Sequence, residues 1–394
     1  MNKNWRLLAC LFALPALSLF SAETETQETA LESQETVQVT KKSQTTNMNQ
    51  NSAQMPVEQK IQSTGVITPS VAPHVVGGWD AYFNLDFIWW KSVLGGAEYA
   101  YTGVLEGLVA GDGAFAPQGT VVGKGRVQKP GFTFEPGFKA GLGVNFDHDG
   151  WDLYAQYTHL ASQKETNSIE GSAGVGGKTV PGIDTNNSDG YVQLPIRSAS
   201  CKWKQSFNVI DLELGRDYFI SRNLTLRPSA GLKTAWITEQ SKINYTADHP
   251  FLDTLINELE SARLTYRQNM WGLGIRTALN TGWHFTKNWA IYNDFAFTAM
   301  WSDFHIHQKQ NLVGSLYGDQ RTLFTQESFQ TVIPVLEAGL GFAYITWWDC
   351  SRYRFEFRAG WEEQIWLDFN HYMTLGGTGN LSLQGLTLKA MLNF

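Results

Sequence analysis

From residue 79 to the end of the chain, apolar and polar side chains alternate at every second position, and no other feature narrows the fold so far. A period of two gives a strand two unlike faces. Asp80 to Lys91 puts Ala81, Phe83, Leu85, Phe87 and Trp89 on one face and Asp80, Tyr82, Asn84 and Asp86 on the other. The same division recurs over 136–146, 151–158, 210–214, 224–236, 271–280, 289–301, 336–344, 352–361 and 386–394, which makes ten strands. Most suit the roughly 9–11 residues that a tilted strand needs to cross a bilayer. Beyond residue 22 no run of 18 apolar residues exists, so a transmembrane helix is excluded.

A soluble sandwich also alternates. Connection lengths argue for a membrane barrel instead. Long gaps (92–135, 161–201, 239–263, 303–330, 371–380) alternate with short ones (147–150, 218–223, 281–288, 347–351). Outer-membrane barrels have short periplasmic turns and long external loops. Additional strands near Tyr99 to Val104 and Val192 to Ile196 extend the range from ten to 14.

Tryptophan placement points the same way. Trp89, Trp90, Trp203, Trp236, Trp301 and Trp366 fall toward one set of strand ends, and Trp151, Trp283, Trp289, Trp347 and Trp348 toward the other. Indole rings favour the headgroup layer, so two aromatic girdles are expected, with Trp271 and Trp361 inside strands. The final alternating strand ends on Phe394. A terminal aromatic strand resembles the signal read by bacterial barrel-assembly machinery.

The rest of the chain reads as export apparatus and tether. Lys3 and Arg6 precede an apolar stretch, Leu7 to Leu19, that is too short to span a bilayer, as in a signal peptide over 1–22. Residues 23–78 contain no Phe, Tyr or Trp and cannot bury enough apolar surface to offset chain entropy; a disordered polar periplasmic tail is expected. The barrel occupies 79–394. The net charge is −7 with the leader and −9 without Lys3 and Arg6, which argues against nucleic acid as a partner. Cys201 and Cys350, the two cysteines outside the leader, sit at opposite ends of the expected barrel and should not pair.

The polar face is the candidate pore wall. Arg352, Arg354 and Arg358 form a ladder along one strand, with Glu356 among them and Glu337 and Lys389 on its neighbours. Asp211, Glu213, Asp80 and Asp86 lie on other strands. A basic ladder facing acidic walls would set a transverse field that favours one sign of ion. Against this, the same groups can pair with one another and plug a narrow interior, since eight strands are just filled by side chains and aqueous channels are typical at about 16–18. Pro250 to Glu260 reads as a short amphipathic helix in an external loop. No catalytic, metal or cofactor constellation is recognisable. Expected partners are outer-membrane lipid, small hydrophilic solutes, the assembly machinery through Phe394, and a second copy of the chain.

Two segments carry a family resemblance. Phe83-Asn84-Leu85-Asp86-Phe87-Ile88-Trp89-Trp90-Lys91 with Ala97-Glu98-Tyr99-Ala100, and Gly360-Trp361-Glu362-Glu363-Gln364-Ile365-Trp366, resemble the opening and the penultimate strand of the Legionella-type pore-forming major outer membrane proteins, a family represented also in environmental chlamydiae. The resemblance covers about 79–394 and implies an outer-membrane porin for small hydrophilic solutes and ions. The alternative left by the residues is a structural or adhesive barrel with a closed lumen and interacting external loops.

Overall fold

The computed structural model describes residues 75, 80–102, 126–146, 150–166, 169–177, 195–247, 259–314, 320–372 and 377–394. The expected leader, and all of the expected tail but Val75, lie outside them. The described residues form no helix. Their strands are β1 (Ala81–Leu94), β2 (Ala100–Thr102), β3 (Arg126–Gln128), β4 (Phe134–Asn145), β5 (Trp151–Glu165), β6 (Ile169–Gly177), β7 (Pro195–Arg216), β8 (Tyr218–Phe219), β9 (Leu224–Ala247), β10 (Leu259–His284), β11 (Trp289–Gly314), β12 (Gln320–Trp348), β13 (Tyr353–Tyr372) and β14 (Gly377–Asn393).

Ten of these close a ring in the order β1, β4, β5, β7, β9, β10, β11, β12, β13, β14 and back to β1, every pair antiparallel. Closure satisfies backbone groups that hydrocarbon cannot. The seam runs from Tyr82 opposite Asn393 to Leu94 opposite Leu381. Phe394 completes it: its N–H donates to the Ala81 carbonyl (2.9 Å) and its carbonyl accepts from the Ala81 N–H (3.2 Å). One short turn, between β12 and β13, is built from Asp349, Cys350 and Ser351 at positive φ (52°, 54°, 67°).

The period-two pattern becomes two faces. Leu85, Leu142 and Ile275 point outward and are 61–69% exposed, as lipid-facing residues should be. Charge on that face costs about 2–4 kcal/mol for Arg or Lys at mid-bilayer. Outward rings bracket the apolar band. Trp89, Phe134 and Trp361 form one arc of the outer girdle, at centroid distances of 5.3 and 6.0 Å. Trp236, Trp271 and Trp301 form another, with Trp271 and Trp301 edge to face at 5.7 Å. Trp151, Tyr218, Trp283, Trp289 and Trp348 mark the periplasmic side.

Four expectations need correction. Trp90, Trp203 and Trp366 are not girdle residues but are among the largest buried side chains, at 1%, 1% and 0% exposure. Parity explains this: they share strand faces with Asp86, Asp211 and Arg358. Trp271 and Trp361 are the girdle residues instead. The gaps 239–263 and 303–330 are mostly strand, because β9 to β12 continue well beyond the girdle. Finally, Leu259 and Glu260 begin β10 rather than end a helix; 250–258 lie outside the described residues.

The overlooked extension follows from an inversion of the faces. Beyond Trp236, Thr238, Gln240, Lys242 and Asn244 point outward while Ile237, Ile243 and Tyr245 are buried within. Water replaces lipid outside, so apolar groups move to the inner face. The strands β2, β3 and β6 lie in gaps where extra strands were anticipated, but they pair near this outer end and do not cross the membrane.

Candidate functional site: the barrel interior

The lower lumen is a web of ion pairs. Lys233, on β9, has its Nζ 2.8 Å from Asp211 Oδ1 on β7 and 2.7 Å from Glu337 Oε1 on β12. Arg276 on β10 donates to Glu213 and, at 3.0 Å, to Glu337 Oε2. Arg227 reaches Asp152 through two nitrogens (2.9 and 2.6 Å) and Glu213 at 3.2 Å. On β13, Glu356 accepts from both Arg354 and Arg358, and Lys139 of β4 pairs with Glu362. Each cation is thus neutralised by carboxylates within reach. A buried charge left alone would cost several kcal/mol, so pairing is what allows these groups to sit together. A polar cavity of about 240 Å³ remains among them, bordered by Tyr82, Asp152, Arg227, Arg276, Glu356 and Lys389.

Above this web the interior turns apolar. Ile88, Trp90, Leu160, Phe207, Met300, Phe304 and Trp366, from β1, β5, β7, β11 and β13, pack into one cluster, each at most 1% exposed. One more side chain enters from β13. Asp368 adopts φ 50°, the pairing with β14 lapses between Trp366 and Asn370, and Phe369 turns inward to full burial. This inturned strap is fastened across the bore to β10, which is not a neighbour of β13. Gln268 donates to the Phe369 carbonyl (2.8 Å) and accepts from the His371 N–H (3.1 Å). The imidazole of His371 packs edge-on against Phe304 and Phe329 (5.1 and 4.9 Å).

Of the residues singled out in the sequence, Arg354, Glu356, Arg358, Glu337, Asp211 and Glu213 all enter the ion-pair web. Asp86 faces the same space and accepts from Asn84 (2.7 Å), and Lys389 stands over the Tyr154 ring at 5.3 Å. Asp80 is buried below, ahead of β1, accepting from Asn145 (2.9 Å). Arg352 is separate: it lies in the exposed turn before β13, so the ladder begins at Arg354. Lys233, Arg227, Arg276 and Lys139 were visible as polar-face residues but not as the partners of those acids. Among the described residues no group of His, Cys, Asp and Glu is arranged to hold a metal.

A model of the Legionella pneumophila major outer membrane protein precursor family matches residues 71–394. No curated protein matches the chain. Among solved structures, the outer membrane protease OmpT of Escherichia coli aligns with 9% identity over 80% of this chain and 96% of its own, at a TM-score of 0.41. A Pseudomonas aeruginosa FadL homologue aligns at 7% identity (80% and 89% covered, TM-score 0.24), and the Pseudomonas putida toluene transporter TodX at 11% (84% and 92%, TM-score 0.23). A ten-stranded barrel with an apolar belt, two aromatic girdles and a family match running to its last residue leads to one assignment: the chain belongs to the family of the Legionella major outer membrane protein and is an outer-membrane β-barrel.

Proposed function

We propose that this outer-membrane barrel works with its lumen shut, through the part that projects beyond the membrane, and is not an open diffusion porin. The apolar layer carries this reading. Trp90, Phe207, Phe304, Trp366 and Phe369, from β1, β7, β11 and β13, fill the bore with side chains at most 1% exposed. A hydrophilic solute would have to exchange most of its hydration for contact with hydrocarbon and ring faces there. Ten strands enclose little more than side chains can fill. The ladder residues Arg354 and Arg358 share Glu356 on their own strand, and Asp294 lies 3.8 Å from Arg358, so acids beside the ladder offset its charge.

The porin reading has one feature in its favour, the charged cavity of about 240 Å³ on the periplasmic side of the apolar layer. Planar-bilayer recording of the refolded chain separates the two. The closed-lumen reading expects no unitary current steps. Regular steps whose ion preference changes with Arg354→Glu would overturn it and restore the diffusion porin.

A further inference from the structure

We propose that the outward face of β7, β9, β10 and β11, just beyond the tryptophan girdle, binds the phosphorylated headgroups of outer-leaflet glycolipid. The strand registers assemble this face in rows. Trp236 stands opposite Trp271 and marks the top of the lipid zone. Four residues further out, Lys204, Gln240, Arg267 and His307 lie side by side across four strands. The next outward row is Lys202, Lys242, Thr265 and Lys309, and Arg263 follows above it.

Three features of this surface point to a polyanion. First, its charge has one sign. Lys202, Lys204, Lys242, Arg263, Arg267 and Lys309 share it, and no Asp or Glu occupies these rows on β7, β9, β10 or β11, in a chain whose net charge is −7. Second, the cations are poorly compensated. Lys202 reaches Glu165 at the edge of the face (2.7 Å), and the other five make no ion pair among the described residues. Arg263 and Arg267 spend one nitrogen each on Asn244 (2.9 Å) and Asn269 (3.2 Å). Lys202 and Lys242 stand directly opposite on neighbouring strands, where like charges repel unless an anion lies between them. Third, the height fits. Four to six residues beyond Trp236 is roughly 13–20 Å along a strand, or about 10–15 Å along the membrane normal at the usual tilt of about 40°. That is the level of headgroup sugars and phosphates, above the acyl boundary where indole rings settle.

The binding is electrostatic and multivalent. Arginine forks clasp phosphate oxygens in pairs, and lysines add point charge. It does not depend on the lumen, so it stands whether or not the barrel conducts, and its test is read independently of current recording.

The test uses the full chain refolded in uncharged detergent and titrated with mixed micelles bearing bis-phosphorylated lipid A. The triple variant Lys204→Gln, Arg267→Gln, Lys309→Gln should bind about 100-fold more weakly, at roughly five-fold per surface charge. The charge-preserving variant Lys204→Arg, Arg267→Lys, Lys309→Arg should keep most of the affinity. Heat-modifiable gel migration of each variant verifies that the barrel is intact. Removing the phosphates from the glycolipid, or raising the salt, should weaken wild-type binding by a larger factor than that of the triple variant, which keeps Lys202, Lys242 and Arg263. Equal affinity of wild type and triple variant, or equal affinity for the dephosphorylated glycolipid, would overturn the proposal.

Discussion

Lys233 of β9 and Glu337 of β12 meet at 2.7 Å across the interior although two strands separate them along the wall. The contact ties strands three steps apart in the ring through a fully buried cation that also holds Asp211 at 2.8 Å. Removing it leaves Asp211 and Glu337 to share Arg276, which also serves Glu213, so the buried carboxylates outnumber the cation that remains. Lys233→Met should therefore destabilise the barrel by about 3–5 kcal/mol. The compact, unheated gel form should be lost at a lower temperature or urea concentration than in wild type. Restoring neutrality with Lys233→Met, Glu337→Gln should recover part of the loss.

One side chain, Gln268, ties the strap at Phe369 to β10. Gln268→Ala removes both bonds that fasten it to β10, leaving the Phe369 carbonyl and the His371 N–H without those partners. Each group so orphaned costs about 1–3 kcal/mol. Hydrogen exchange should accelerate at 369–371 and stay unchanged at the seam between β1 and β14. Unaltered exchange in the strap would show that Phe369 packing, with the bond from Asn370 Nδ2 to the Gly95 carbonyl (2.7 Å), holds it without Gln268.

Close strand contact sets a third outcome. Gly231 lies opposite Glu213, and a Cβ there would strike the Leu212 carbonyl of the neighbouring strand. Gly339 is roomier: its nearest neighbour would be the Glu362 side chain at 3.4 Å. Overpacking of a tight interior costs about 1–3 kcal/mol. Gly231→Ala should lower the yield of refolded barrel, whereas Gly339→Ala should refold like wild type.

The cysteines should report the two environments. Cys350 is exposed in the turn between β12 and β13, and Cys201 is buried among Ala199, Ile243 and Tyr245. A maleimide should label Cys350 in the folded protein within minutes and Cys201 only after denaturation. Fast double labelling of the native form would place Cys201 wrongly.

Much of this architecture could be read from residue order because a barrel wall has only two faces and lipid dictates one of them. The parity that put Phe83 and Leu85 outside and Asp86 inside held for every membrane-crossing strand. The same rule, applied to the tryptophans, would have assigned Trp90, Trp203 and Trp366 to the interior; proximity to a strand end was the poorer guide. The long strand ends were missed for a different reason. Above the girdle no hydrocarbon demands apolar side chains outside, so stretches such as Thr238 to Asn244 lack the expected pattern while remaining strand. Which acid meets which base was not legible. Lys233 and Glu337 are brought together by stagger and curvature across three strand pairings, and no local sequence feature encodes that sum.

The departure of β13 from the wall at Asp368, while β12 runs on to Gln320, leaves β12 unequally partnered along its length. Beyond Pro334, β12 has no pairing with β13, so among the described residues its outer stretch is joined to the wall through β11 alone. The two edges of that stretch are therefore not alike. One edge is sewn to β11 as far as Gln320, and the other carries no strand partner among the described residues.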